Sequence, residues 1–396
     1  MPDVHAKLSA SGASRWLACP GSCRMEEGLP DDTSSAALEG TCAHRLAELL
    51  LKHETGALTD PAFEEEMQAF RENADYYSEE MVQAITVYVA YVMEALNEAR
   101  KDAPDAELFS ELQVDFSDYV PEGFGTTDVA IVSDDTLRII DLKYGKGIRV
   151  DAEQNPQLRL YALGTLAEFD DLYDIRRVRM TIMQPRIDHI STDEMAVEDL
   201  KDWGMRKVRP IAEKALSGTG ELIPGEVQCR WCRARGICRA RAKKNLELMR
   251  FDYAPPQRLT PEEVAGILGC LDELTSWASD VKSYALKEAL HGKRYEGWKV
   301  VRGSANRKIT DPDTLAKRLR KKGFRVSEIY EKKLLTIGKL EKLVGKERFT
   351  ELSKGCVVKP EGKPALVPLS DKREEIGGAN DYISHQKVSD TEKKGN

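Results

Sequence analysis

"GTTDVAIVSDDTLRIIDLKYG" occupies residues 125–145 and reads as two short apolar strands joined by a tight turn. The runs around 129–132 and 137–142 are rich in β-branched residues, and Ser-Asp-Asp-Thr between them is turn chemistry, so the stretch predicts a hairpin. Asp128 starts the first strand, while Asp141 and Lys143 end the second. Those two lie two residues apart and so share one strand face. A hairpin brings Asp128 within reach of that face. Two carboxylates and an ammonium converging at strand ends are costly unless a divalent cation sits between the acids. One or two Mg²⁺ or Mn²⁺ ions make chemical sense of the set. The carboxylates hold the ion, which acidifies a bound water and neutralises charge on a phosphoryl oxygen; the lysine orients that water or steadies the transition state. An edge salt bridge is the plain alternative for a D-x-K read alone.

Outward from the hairpin, "AELFSELQVDF" and "RRVRMTIMQPR" are further strand candidates, and "NPQLRLYALGTLAEF" between the last two strands has helical spacing. Amphipathic helices are predicted over 34–54, 78–100 and 197–216. Helices, three strands, helix, strand, helix and then a cysteine loop predict an α/β core of roughly 200 residues, a central mixed sheet flanked by helices. "DYAPPQRLTPEE" reads as a linker; Thr260, Pro261 and Glu263 are an N-cap, an N1 proline and a capping-box acid for a helix running toward His291. "GWKVVRG" is strand-like, and 310–323 and 336–355 read as helices. The expected organisation is a core over 1–250, a mostly helical extension over 251–358 and a disordered tail over 359–396.

The 396 residues are 41% hydrophobic and 32% charged, the balance of a globular chain with a real core. No apolar run approaches a membrane span and the N-terminus lacks a hydrophobic signal core, so the expectation is a cytoplasmic protein without a membrane partner. The net charge of −8 excludes a uniformly basic nucleic-acid coat. Base is nonetheless concentrated at "CRWCRARGICRARAKK" and "LAKRLRKKGFR", which permits a local phosphate-binding track. Eight cysteines in such a chain favour metal binding over disulfides.

Four further stretches bear on the hairpin. "GTCAHRLAE" contains Gly40, His44 and Glu48; "GTTD" contains Gly125 and Asp128; "DLK" contains Asp141 and Lys143; "QLRLY" contains Gln157, Leu158 and Tyr161. In this order they resemble the motifs of the PD-(D/E)XK nuclease superfamily, in particular its RecB-like branch, over about residues 10–245. The resemblance implies a restriction-endonuclease-like core and a metal-dependent DNA nuclease, expected to act as an exonuclease on linear ends or single strands; the alternatives are a non-catalytic DNA-binding protein on a nuclease scaffold and a zinc-stapled structural or assembly factor. It implies Asp128 and Asp141 as metal ligands with help from the Leu142 carbonyl, His44 as an additional ligand, and Lys143 as the catalytic lysine. Gln157 and Tyr161, four apart on one helix face, would position the phosphate or the metal water. Glu111 in "SELQV" stands where such nucleases often carry an acid on the preceding strand. Glu48 is read as a cap or a partner of Arg45 and is not placed in the site.

"CRWCRARGIC" at 229–238 has the spacing C-x2-C-x5-C, three ligands where a tetrahedral site wants four. Cys42 and Cys270 read as small residues of helix interiors and Cys356 precedes the tail, which leaves Cys19 or Cys23 of "ACPGSC". Some RecB-like nucleases, of the AddB and CRISPR-adaptation types, hold a [4Fe-4S] cluster with one cysteine before the core and three after it. That resemblance implies Cys19, Cys229, Cys232 and Cys238 as the ligands, with structural Zn²⁺ as the alternative occupant. Arg230, Arg233, Arg235, Arg239 and Arg241 would offset the cluster's charge or grip phosphates, and Trp231 would pack over the cluster or stack on a base. The C-terminal third resembles the extension of an uncharacterised phage and prophage family. By association this implies phage DNA replication, recombination or end-processing, with replication or recombination proteins as partners.

Overall fold

The hairpin forms. In the computed structural model, β2 (Phe124–Val132) and β3 (Asp135–Leu142) pair antiparallel with Val129 opposite Ile140. Asp135 takes a left-handed φ of 65° at the turn, and Ser133 Oγ donates to the Thr136 carbonyl at 2.8 Å. β1 (Glu107–Asp115) adds antiparallel to β2. The chain leaves β3 through α6 (Pro156–Phe169) and returns as β4 (Ile175–Gln184), parallel to β3. β5 (His189–Ala196) closes that side antiparallel to β4, giving a mixed sheet of order β1-β2-β3-β4-β5. The structure describes residues 6–30, 34–247 and 260–299, with isolated positions among 314–349. The chain divides into two compact units, Met1–Trp298 and Lys299–Asn396; the sheet and every continuous helix described belong to the first.

Strand alternation sorts the sheet into two cores. Ala130, Val132, Leu137 and Ile139 face α1 (Ala13–Ala18), α6, α7 (Val197–Trp203) and α8 (Arg209–Leu216). Gly164 lets α6 lie against β1, because a Cβ there would stand 2.9 Å from Val114 Cβ. Val129, Ile131, Ile140 and Leu142 face the opposite core of α3 (Ser35–Glu54), α4 (Asp60–Asn73) and α5 (Glu79–Asp102). Ser34 and Ser78 cap α3 and α5 by accepting the N–H of Ala37 and Met81. Each fully buried aliphatic chain contributes about 1.5–3 kcal/mol, so these cores carry the stability against which the buried charges described below are tolerated.

The sheet flanked by helices is as expected; several local features are not. α1, α2 (Ser22–Glu26), α4 and β5 are additional elements. The helix predicted over 197–216 is broken by a π-type turn, Gly204–Val208, where Gly204 sits so close to Tyr119 that a Cβ would lie 2.4 Å from its ring. The capping box at Thr260 and Glu263 is formed, but the helix does not run through to His291. It splits into α11 (Pro261–Leu268) and α12 (Leu271–Leu290), so Cys270 is the N-cap of α12 and not part of a helix interior. α9 (Glu226–Arg230) and α10 (Arg239–Glu247) flank the cysteine loop. Of the strand-like 297–303, residues 297–299 are described and form no strand; the rest of it, the helices expected at 310–323 and 336–355, Cys356 and the tail lie outside the described residues, save isolated positions. Among the described residues no helix is long and apolar enough to cross a membrane.

Candidate functional site

Asp128 is the fifth residue of β2, and β3 runs beside it so that the Leu142 N–H donates to Asp128 Oδ2 at 2.7 Å. The other oxygen meets His44 Nδ1 of α3 at 3.2 Å. Asp141, near the end of β3, is 1% exposed; its Oδ2 stands 2.7 Å from Lys143 Nζ and its Oδ1 accepts from Gln157 Nε2 at 3.0 Å. Lys143 Nζ donates to Gln157 Oε1 at 3.1 Å, and Gln157 Nε2 reaches the Tyr161 hydroxyl at 3.3 Å. Gln157 and Tyr161 are one turn apart on α6, which Asn155 caps by accepting the N–H groups of Gln157 and Leu158. Gly125 keeps Tyr161 in place, since a Cβ there would come within 3.0 Å of its ring.

Glu111 occupies the position in β1 across from Asp128, with a left-handed φ of 51°. Such a conformation inside a strand is strained for a residue with a Cβ, on the order of 1–3 kcal/mol. It resets the strand's alternation: Phe109 and Leu112, three apart, both pack into the α6-side core. It also aims the carboxylate inward. One ligand atom each from His44, Glu111 and Asp128 lie within 4.8 Å of one another. All seven side chains expected in the site, those of His44, Glu111, Asp128, Asp141, Lys143, Gln157 and Tyr161, line one cavity of about 310 Å³. A second cavity, lined by Arg45, Glu48, Lys52 and Glu66 between α3 and α4, has no such convergence. Glu48 pairs there with Lys52 at 2.6 Å, so the expected Arg45 partner is replaced by the residue one turn on.

The charges explain what the cavity accepts. Burial raises the Glu111 carboxyl and the Asp128 charge adds to it, taking it to about 7. Burial opposes the charged form of His44, but Asp128 and then Asp141 outweigh it and lift the imidazole to about 9. Asp128 is held below its usual value, its burial outweighed by His44, Lys143 and the Leu142 N–H. Asp141 is raised by burial and by Asp128 against the pull of Lys143. Lys143 stays an ammonium: burial lowers it, and Asp141 and Asp128 more than restore it. A proton on His44, and below about pH 7 one on Glu111, thus stands where a divalent cation would bind, and binding one would release them. The close donor set, two carboxylates and one imidazole nitrogen, suits a divalent cation such as Mn²⁺; Asp141, expected as a ligand, stands outside it with its oxygens on Lys143 and Gln157.

Sequence reasoning missed some of what surrounds this set. Ser9, Ser11, Thr41 and Thr126 line the cavity, with no pattern to announce them. The loop from Lys143 to Asn155 is fastened by Gln184, which is 1% exposed: its Oε1 accepts the Val150 N–H at 2.7 Å and its Nε2 donates to the Ile148 carbonyl at 2.9 Å. Alternate residues of β5 continue the attachment. His189 meets the Val150 carbonyl, Ser191 accepts the Ala152 N–H, and Asp193 accepts the Gln154 N–H.

The expected cysteine ligands come near enough to feel one another's charge, but among the described residues no three of their sulfurs lie within 4.8 Å of one another. Cys19, Cys229 and Cys232 are buried and Cys238 is half-buried. Cys19 Sγ accepts the Ile223 N–H at 3.3 Å, and Cys229 Sγ accepts that of Gly225 at 3.4 Å. Burial raises the Cys19 thiol, the Ile223 N–H pulls it back, and the charge of Cys238 acts on it next. Burial, then Glu26, pushes Cys232 up to about 12. Cys23 instead packs against the α6-side core. The arginines divide. Arg233 donates to the Leu29 carbonyl, Arg235 pairs with Asp280 at 2.9 Å, and Arg241 is buried between Glu273 and Asp280. Arg239 is exposed, Arg230 pairs with Glu226, and Trp231 is 64% exposed, so its ring is not covered by the loop.

Comparison with known proteins adds little chemistry. A solved structure titled "Crystal structure of SSO0001" is similar at 13% identity, over 58% of this chain and 96% of that one, with a TM-score of 0.24. A likeness that weak assigns neither fold nor activity. A family model described as "Protein of unknown function (DUF2800)" matches residues 5–374, and the chain belongs to that family.

Proposed function

We propose that this protein is a metal-dependent DNA nuclease of the PD-(D/E)XK type, RecB-like in its motifs, acting as an exonuclease on linear ends or single strands. The observation that carries the reading is the convergence of His44, Glu111, Asp128, Asp141, Lys143, Gln157 and Tyr161 on one cavity, drawn from α3, β1, β2, the β3 end and α6. His44, Asp128 and Asp141, with Glu111, would hold one or two Mg²⁺ or Mn²⁺ ions. When bound, such an ion supplies an acidified water and charge neutralisation at the phosphoryl oxygen. The chain's own groups do the rest. Lys143, kept charged by Asp141, donates toward the attacking water or the phosphate. Gln157 holds Lys143 and Asp141 in register, and the Tyr161 hydroxyl remains protonated as a donor because burial raises it. The opposite charges of the two carboxylates and the ammonium would otherwise be an expensive way to build a strand end.

Cys19, Cys229, Cys232 and Cys238 are proposed to hold a [4Fe-4S] cluster that joins the N-terminal helices to the segment after the core, with structural Zn²⁺ as the alternative. What supports the reading is that three of the sulfurs are buried and two accept backbone N–H groups, as cluster thiolates do; their spacing, with no three within 4.8 Å among the described residues, is wider than a tetrahedral zinc site needs. Brown protein absorbing near about 400 nm supports iron–sulfur; zinc without iron overturns it. A role in phage-type DNA replication, recombination or end-processing rests on association alone.

The test is anaerobic purification of the full chain, then assays with Mn²⁺ on linear and circular DNA for wild type and Lys143→Ala. Degradation of linear DNA alone, lost in Lys143→Ala, is the expected result. Equal digestion by both proteins overturns the mechanism, and digestion of circles overturns the exonuclease assignment.

A further inference from the structure

The helix α12 carries no buried residue, yet it lies hard against the cysteine loop. Its attachment is polar and close. A Cβ on Gly236, between Cys232 and Cys238, would stand 2.8 Å from the Asp280 carbonyl oxygen and 2.9 Å from Tyr284 Cβ. Arg235 Nε meets Asp280 Oδ1 at 2.9 Å. Arg241, three residues past Cys238 and 1% exposed, grips Glu273 with Nε and Nη2 at 2.6 and 3.2 Å. Its Nη1 reaches Asp280 Oδ2 at 2.6 Å, and its Nη2 reaches Ser276 Oγ at 3.3 Å. Glu273, Ser276, Asp280 and Tyr284 fall at three- and four-residue intervals, so they form one stripe along α12.

On its other side Arg241 belongs to the cysteines. Nη1 donates to the Arg235 carbonyl inside the loop at 3.3 Å, and both Arg241 and Glu273 are near enough to act on the charge of Cys229. One buried guanidinium thus stands between the thiols and two carboxylates of the extension. We infer that docking of α12 and metal occupancy of the four-cysteine centre are linked, with Arg241 as the positioning residue that joins them. This rests on the four-cysteine reading above and goes beyond it. A filled centre holds 229–238 in the shape that Gly236, Arg235 and Arg241 need to grip α12. Docked α12 in turn holds the loop in the shape the ligands need. Such a linkage is reciprocal by thermodynamic necessity, and it makes the extension part of the centre's wall.

The experiment uses the full chain as purified, with iron and zinc measured by elemental analysis. Hydrogen exchange is followed in loaded protein and after metal removal with ferricyanide and EDTA, then dithiothreitol. Amides of 271–290 are expected to exchange about tenfold faster after removal while those of α6 hold. In Glu273→Gln/Asp280→Asn, which leaves the ligand loop untouched, metal release to EDTA is expected to be about 10- to 100-fold faster, the usual cost of losing an outer partner of a metal site. Arg241→Met should do the same. Exchange of α12 indifferent to removal, acceleration shared equally by α6, or wild-type retention in the double variant overturns the linkage alone. Protein with neither iron nor zinc overturns the four-cysteine reading together with it.

Discussion

The carboxylate cavity and the cysteine segment both gather ligand-type side chains from distant parts of the chain, but they are held by different means. In the cavity every chemical group except Lys143, one residue past β3, sits within a strand or a helix of two turns or more, and two hydrophobic cores fix those elements. Cys229 sits on the five-residue α9 and the other three cysteines outside any helix, and their neighbours are tied by ion pairs such as Arg15–Glu26 at 2.9 Å and Arg241–Glu273. The cavity is a preorganised place in a scaffold that stands without it. The cysteine segment is a place that its own occupant would help to build. Chemistry and stability are therefore expected to separate between the two.

The sharpest break pairs one substitution from each region. Asp128→Asn keeps an acceptor for the Leu142 N–H but removes the charge opposite His44. The proposed nuclease activity with Mn²⁺ is expected to fall about a thousandfold, as when a preorganised electrostatic group is lost, while the unfolding midpoint in EDTA moves far less, the lost His44 pair being offset by relief of the Glu111 and Asp141 carboxyls that Asp128 repels. Cys232→Ser is expected to cost about 3 kcal/mol of stability through loss of a long-range closure, while protein kept cold retains cleavage. Denaturant melts and initial rates on the same preparations check both. Equal loss of activity and stability in each variant would erase the distinction.

The same contrast explains what was legible. β1 to β4, α3, α5 and α6 announce themselves because apolar side chains recur with the right period, and six of the seven cavity residues lie in motifs on those elements. Glu111 was reachable only by resemblance, for its strained φ leaves no trace in residue type. β5 was missed because its inward residues, His189, Ser191 and Asp193, are polar and serve the 143–155 loop, while Ile190 is half exposed; the usual apolar alternation is inverted. α1 and α2 are too short for periodicity to register, and the acidic residues of α4 dilute its apolar period. Arg241 looked like one of a set of phosphate-binding arginines. Its true partners, Glu273 and Asp280, lie more than thirty residues away, and no local rule pairs them.

A pH series sharpens the comparison next. His44 is raised from 6.5 to about 9 and Glu111 from 4.5 to about 7 in the folded, cation-free protein. A raised folded value stabilises below the unfolded value and loses that contribution as pH climbs through the folded one. Cation-free protein is therefore expected to lose on the order of 5 kcal/mol between pH 5 and pH 9, Glu111 acting in the lower half and His44 in the upper. Mn²⁺ should reverse the slope, because its ligands must be deprotonated. Melts in EDTA and in Mn²⁺ across that range decide it; parallel curves would mean the cavity does not exchange protons for a cation.

The smallest expected effect is the most pointed. Glu111 combines a φ of 51° with a carboxyl pushed upward by burial and by Asp128, two local costs at one residue. Glycine adopts that φ freely and removes the carboxyl. Glu111→Gly is then expected to stabilise the cation-free protein by about 1 kcal/mol and to weaken Mn²⁺ binding, measured by calorimetry at pH 8. Glu111→Gln keeps the strain and removes only the charge, so it should weaken binding as much while stabilising less. If Gly and Gln melt alike, the strained backbone contributes nothing. If Gly destabilises, the carboxylate is a structural member of β1, and the cavity resembles the cysteine segment more closely than its architecture implies.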